Sequence, residues 1–72
     1  MTKSNKIDQE IGENIRINRI IKKRSRSWLG KKLQKSYQQI QNYESGKHRV
    51  AASALFLISQ FLDVKIENFF PK

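Results

Sequence analysis

The stretch Ser36-Tyr-Gln-Gln-Ile-Gln-Asn-Tyr-Glu-Ser-Gly46 decides how the rest of the chain is read. Ser36 reads as a helix N-cap, because its hydroxyl can accept from the unpaired amides of the first turn. Gly46 reads as the stop, since glycine enters the left-handed conformation that closes a helix. Within the helix so predicted over 37–45, Ile40 is the clear core contact and Tyr43 a second, partly buried one. The four amides Gln38, Gln39, Gln41 and Asn42 stand where a globular helix usually carries charges. An amide offers a donor and an acceptor together, which is what reading an adenine edge in a major groove requires.

The charges lie around this helix instead. Residues 16–49 contain eleven Lys and Arg and a single acid, Glu44, while the other residues carry four basic and five acidic side chains. The net charge of +9 is therefore segregated rather than spread. A solvated, merely solubilising surface would intersperse its signs, so segregation favours a polyanionic partner.

Outward from the amide-rich helix, the pattern stays helical. The spacing predicts a first helix over 7–23, with Ile7, Ile11, Ile15 and an Ile17/Ile20/Ile21 cluster on or beside one stripe. Gly12 costs that helix about 1 kcal/mol relative to Ala, which implies a packing reason for it. Ser25 or Ser27 can cap a second helix over 26–34, with Leu29 and Leu33 buried and Gly30 leaving room for a neighbour. Lys35-Ser36 then forms a tight turn. After the loop Gly46-Lys-His-Arg49, a fourth helix begins at Val50 with Leu55, Ile58 and Leu62 on its apolar face, and Asp63-Val64 breaks it. A last helical turn or two covers Ile66 to Phe70 before Pro71. The expectation is an all-α, compact five-helix bundle: residues 1–6 form a flexible N-terminal segment and residues 7–72 a single domain.

Composition removes several function classes. Seventy-two residues, 38% of them hydrophobic, suit one small domain near the lower limit for a self-sufficient core. Without cysteine there is no disulfide framework and no thiolate metal site, and the lone His48 builds neither a metal site nor a catalytic dyad unaided. No apolar run approaches the ~20 residues of a membrane span, and no secretory segment opens the chain. A cytoplasmic, bacterial-type protein without a cofactor is expected. An enzyme is the least favoured class, because there is no nucleophile–base set and no phosphate-cradling glycine loop.

The second and third predicted helices, joined by a tight turn, are spaced like a helix-turn-helix. The segments Ile11-Gly-Glu-Asn-Ile-Arg16, Leu29-Gly-Lys-Lys-Leu33, residues 36–46 and Ile58-Ser-Gln-Phe-Leu-Asp-Val64 resemble the phage repressor and Cro-like (XRE-type) helix-turn-helix family. The likeness extends over roughly residues 11–70. It implies a lambda repressor-like DNA-binding domain, and the stretch following Gln38 looks like the short bacterial chromosomal regulators. By position, the resemblance assigns base reading to Tyr37, Gln38 and Asn42, with Gln41 a fourth candidate. It assigns phosphate contact to Arg26, Lys35, Ser36, Lys47 and Arg49, and a buried ion pair to Arg19 and Glu44.

This sequence departs from the family pattern at several places. Gln34 stands where the family has its turn glycine, and Lys35 replaces the apolar residue after it. Arg24 replaces a small apolar plug, so that corner of the core is expected to be looser. Asp63 occupies a position often filled by a C-cap glycine. Two readings stay open for Tyr37, contact with a thymine methyl or phosphate, or cover for the interhelical groove. Trp28 is read as filling a core edge, with packing on the phosphate track the other option. The four Phe residues exceed what so small a core must bury, so Phe61, Phe69 and Phe70 are candidates for a dimer surface.

These readings converge on a sequence-specific double-stranded DNA-binding regulator, a repressor by expectation, acting as a homodimer on a palindrome. RNA polymerase would be a further partner. The alternative is an antitoxin-like module whose exposed Phe surface binds a toxin and whose DNA binding serves autorepression. Binding to an anionic membrane is disfavoured, because the basic residues span several helices rather than one amphipathic face.

Overall fold

The computed structural model describes residues 5–72 and contains four α-helices, α1 (Lys6–Ile21), α2 (Arg26–Leu33), α3 (Tyr37–Ser45) and α4 (Ala52–Leu62), followed by a 3-10 helix, Ile66–Phe69. The all-α expectation holds. The expected fifth helix is this 3-10 segment of four residues rather than a further α-helix. Among the described residues there is no strand.

Caps set the boundaries. The side chains of Asn5, Ser25 and Ser36 accept from the amides of Asp8, Trp28 and Gln39 at 2.7, 3.0 and 3.0 Å. Each satisfies a backbone donor that helix geometry leaves unpaired. Asn5 and Lys6, assigned to a flexible segment from sequence, are therefore the cap and first residue of α1; the rest of that segment lies outside the described residues. Ala51 supplies no side-chain cap to α4, which is held instead by its apolar face.

The core consists of Ile15, Leu29, Ile40, Tyr43, Leu55, Ile58, Leu62 and Phe69, with every helix contributing. Phe69 is completely buried, which overturns its assignment to a dimer surface. The 3-10 segment turns its ring inward, and its carbonyl accepts from the Asn14 side chain of α1 at 3.0 Å. Phe61 is half-buried against the core, and Phe70 is exposed.

The isoleucine stripe of α1 also divides differently from expectation. Ile15 is buried and Ile11 half-buried, while Ile7, Ile17, Ile20 and Ile21 face solvent. The inward line runs Gly12, Ile15, Arg19, at helical steps of three and four. A charged residue thus takes the place where the stripe would have continued.

Glycines permit two close approaches. A Cβ on Gly12 would run into the carbonyl oxygens of Tyr43 and Glu44 in α3, and one on Gly30 would lie 2.7 Å from the Lys35 carbonyl oxygen. These contacts seat α3 against α1 and draw the turn onto α2. The turn keeps a left-handed residue although Gln34 supplies it, at φ 58° and ψ 42°. Lys35 N–H then donates to the Gly30 carbonyl at 2.8 Å, which closes α2. An L-residue in this conformation costs of order 1–2 kcal/mol, and the cost recurs at Asp63, φ 57°.

Gln34→Gly should therefore stabilise the domain by about 0.5–1 kcal/mol, the strain relieved exceeding the extra chain entropy lost. Urea unfolding followed by Trp28 fluorescence measures it. An unchanged or lower midpoint would mean that Gln34 makes a compensating interaction.

Candidate nucleic-acid interface

α3 is amphipathic in an unusual way. Ile40, Tyr43 and Glu44 point inward, and the opposite face presents Tyr37, Gln38, Gln41 and Ser45 with Asn42 half-buried at its edge. The four residues expected to read bases thus share one accessible surface. Gln38 Nε2 donates to Asn42 Oδ1 at 3.2 Å, one helical turn apart. This i, i+4 amide pair orients both side chains along the helix. Gln39 is set apart from them: its Oε1 lies 3.2 Å from His48 Nδ1, in the loop after α3.

Behind this face lies a buried carboxylate. Glu44 is 4% and Arg19 7% exposed. Arg19 donates through Nε to Glu44 Oε2 at 2.6 Å and through Nη2 to Oε1 at 3.1 Å. Its Nη1 donates to the Arg24 carbonyl at 2.8 Å, so the guanidinium's main valences are met. This bidentate geometry is the strong form of such a pair. The expected link between α1 and α3 is present and buried.

A third partner was not anticipated from sequence. Arg26, expected on the phosphate track, donates from Nε to Glu44 Oε1 at 2.9 Å and from Nη1 to the Tyr37 hydroxyl at 3.4 Å. Its guanidinium carbon also lies 5.9 Å from the centre of the Tyr37 ring. Tyr37 first, then Glu44, holds Arg26 more firmly in its charged form. Arg26 is therefore built into the ion-pair cluster, with its side chain 29% exposed, rather than lying free on the surface. Nothing in the sequence pairs residues 26, 37 and 44; only the docking of α2 on α3 does.

The remaining basic residues form the rim. Lys35 and Lys47 are exposed. Arg49 is exposed but bonded through Nε to both Asp8 oxygens at 3.2 Å, which fastens the loop after α3 to the start of α1. Ser36 uses its hydroxyl as an acceptor in the α3 cap. Arg24, exposed, lies over the Trp28 ring at 4.5 Å, with Lys32 Nζ on the same ring system at 5.6 Å. Trp28 packs half-buried against the core edge, as expected, and carries two cations on it.

Two short helices at a tight left-handed turn thus form a unit whose second helix presents an uncharged polar face inside a basic rim. The family model described as Helix-turn-helix matches residues 15–69. The chain belongs to the helix-turn-helix family. Among its relatives is an uncharacterized HTH-type transcriptional regulator of Sinorhizobium medicae, 46% identical over 68 residues, a match covering 94% of this chain and 49% of that protein. The helix-turn-helix chain thus spans about half the length of that relative.

Solved structures share the fold at low identity. The restriction-modification controller protein C.AhdI from Aeromonas hydrophila superposes with a TM-score of 0.79 at 19% identity, covering 86% of this chain and 94% of that one. Hydroxypropylphosphonic acid epoxidase from S. wedmorenis also matches, at a TM-score of 0.84 and 20% identity, over 97% of this chain but 36% of the enzyme. The same helical unit thus occurs within an enzyme. Function must be argued from the surface of the helix-turn-helix and not from the fold.

The buried cluster predicts an ordered set of losses. Glu44→Ala should leave two guanidiniums facing an empty site and cost ~3–5 kcal/mol. Arg26→Ala leaves the Arg19–Glu44 pair intact and should cost no more than about 1 kcal/mol. Denaturant unfolding of the two variants tests this, and equal losses would contradict the ranking.

Proposed function

We propose that this helix-turn-helix domain binds double-stranded DNA sequence-specifically and regulates transcription, with α3 in the major groove. The observation that carries the reading is the accessible amide face of α3, ringed by Arg and Lys and free of carboxylates. Glu44, the one acid between residues 16 and 49, is turned inward and neutralised by arginines. A solvated helix would have no reason to sequester its only acid.

In this reading Gln38 makes a bidentate contact to adenine N6 and N7, held in line by Asn42. Gln41 and Tyr37 flank it, and Asn42 adds a base or adjacent-phosphate contact. Lys35, Lys47 and Arg49, with the backbone at Ser36, follow the phosphates on either side and fix the register without reading sequence. Arg26 contributes the part of its guanidinium that the cluster leaves exposed. Repression is the favoured outcome, by occlusion of a promoter.

A homodimer on a palindrome fits the exposed apolar side chains that lie outside the helix-turn-helix. Phe56 and Leu57 of α4 and Phe70 beyond the 3-10 helix are exposed, at 54, 42 and 41%. Large apolar side chains open to water, two of them adjacent in α4, point to an association surface. Half-sites would then lie about one helical turn, ~34 Å, apart. An antitoxin-like role would use the same surface for a different protein; recovery of a stoichiometric toxin with the full-length protein would favour it.

Gln38→Ala should weaken binding to a site selected from random duplexes by ~1–3 kcal/mol while leaving binding to random DNA unchanged. Equal losses on both would sink the base-reading role. Affinity for either DNA should also fall steeply with salt, by about 0.9 of a power of salt concentration per basic phosphate contact. Phe56→Asp combined with Phe70→Asp should yield a folded monomer in sedimentation; both side chains are exposed, so the core is untouched. A double variant that remains dimeric would move the interface elsewhere.

A further inference from the structure

The contacts between Arg26 and Tyr37 bear on which base the helix reads, an inference that rests on the DNA-binding role proposed above. Tyr37 is the first residue of α3, its ring is half exposed, and its hydroxyl oxygen accepts from Arg26 Nη1 at 3.4 Å. Arg26 is itself fixed, because Nε is committed to the buried Glu44 at 2.9 Å. A phenol whose oxygen faces a guanidinium has its acceptor side occupied, and the adjacent positive charge opposes a second incoming donor. What Tyr37 can still offer outward is one O–H donor and an apolar ring edge.

A single base edge complements that pair. In the major groove thymine presents an acceptor, O4, beside an apolar C5-methyl. Cytosine presents a donor, N4–H2, where thymine has O4, and it lacks the methyl. We propose that Tyr37 reads thymine, with its ring on the methyl and its hydroxyl donating to O4, and that Arg26 is the positioning residue that makes the hydroxyl a donor only. Glu44 acts through Arg26. The remaining guanidinium nitrogen, Nη2, makes no hydrogen bond to the described residues and is left for a phosphate. One side chain thereby couples backbone register to the reading of one base.

The test starts from sites enriched out of random duplexes by the wild-type domain and by Tyr37→Ala. The half-site position whose preference disappears in Tyr37→Ala identifies the base read by Tyr37, and thymine is expected there. At that position thymine, uracil and 5-methylcytosine are then compared in otherwise identical duplexes. Uracil removes only the methyl and should bind about fourfold more weakly. 5-Methylcytosine keeps the methyl but replaces the acceptor with a donor, and should bind roughly tenfold more weakly.

Tyr37→Phe should retain the thymine-over-uracil preference and lose most of the thymine-over-5-methylcytosine preference. Arg26→Gln should show that same selective loss, and the double variant should lose little more than either single one. Arg26→Lys keeps a positive charge, and its affinity for random DNA, measured in parallel, separates any lost phosphate contact from lost base discrimination. Its single ammonium cannot hold Glu44 and Tyr37 as the fork does, so it too should lose the 5-methylcytosine discrimination. Trp28-monitored unfolding verifies that each variant is folded.

Full thymine-over-5-methylcytosine preference in both Arg26 variants would overturn the positioning role. A base other than thymine at the Tyr37-dependent position, or no such position, would overturn the thymine assignment. Wild-type protein that enriches no sequence at all would overturn the DNA-reading function itself, a result distinct from either.

Discussion

The carboxylate of Glu44 is the point on which the surface of this domain depends. It sits almost fully buried on the inner side of α3 and is shared by an arginine from α1 and another from α2. Taking a carboxylate out of water is costly, and two charge-assisted partners with near-ideal geometry offset that cost. The benefit is orientation more than stability. Three helices meet at one group, so the rotation of α3 about its own axis is fixed where an apolar contact alone would leave it slack. Gly12, whose missing side chain lets α1 reach the α3 carbonyls, fixes the depth of the same contact.

That orientation decides which residues face outward. With Ile40, Tyr43 and Glu44 held inward, Gln38 and Gln41 face outward, Tyr37 lies beside them with its hydroxyl on Arg26, and Asn42 lies at the edge of their face. The only acid in the basic zone is removed from the surface by the same event, so the exterior of α3 becomes neutral and its rim positive. Packing and electrostatics are one arrangement here: the pair that seats the helix also removes the charge that would repel a phosphate backbone.

Much of this was legible in the chain. The caps Ser25 and Ser36, the stop at Gly46 and the apolar steps Leu55, Ile58, Leu62 are local signals, because each acts on residues within one turn of itself. The Arg19–Glu44 pair was legible only through family resemblance, since 25 residues separate the partners. Other features stayed hidden for the same reason. Phe69 and Phe70 are adjacent and chemically identical, yet one is fully buried and the other open to solvent. Which of them turns inward depends on where the 3-10 segment crosses α1, which no local pattern encodes. The isoleucines of α1 read as one stripe, yet the face that packs inward is the one containing Gly12, Ile15 and Arg19. The amide pair Gln38–Asn42 could have been found from its i, i+4 spacing alone.

By itself the sequence determined that the chain is helical, where α2 and α3 begin and where α3 and α4 end, and that the positive charge is concentrated around an amide-rich helix. These follow from short-range rules of capping, periodicity and composition, which need no neighbour distant in the chain. Only the tertiary structure decided that Arg26 belongs to Glu44 and Tyr37, that Arg24 covers Trp28, and that Phe69 is core. Each depends on side chains brought together by helix docking, and a guanidinium on a long flexible stem takes whichever partner that docking supplies.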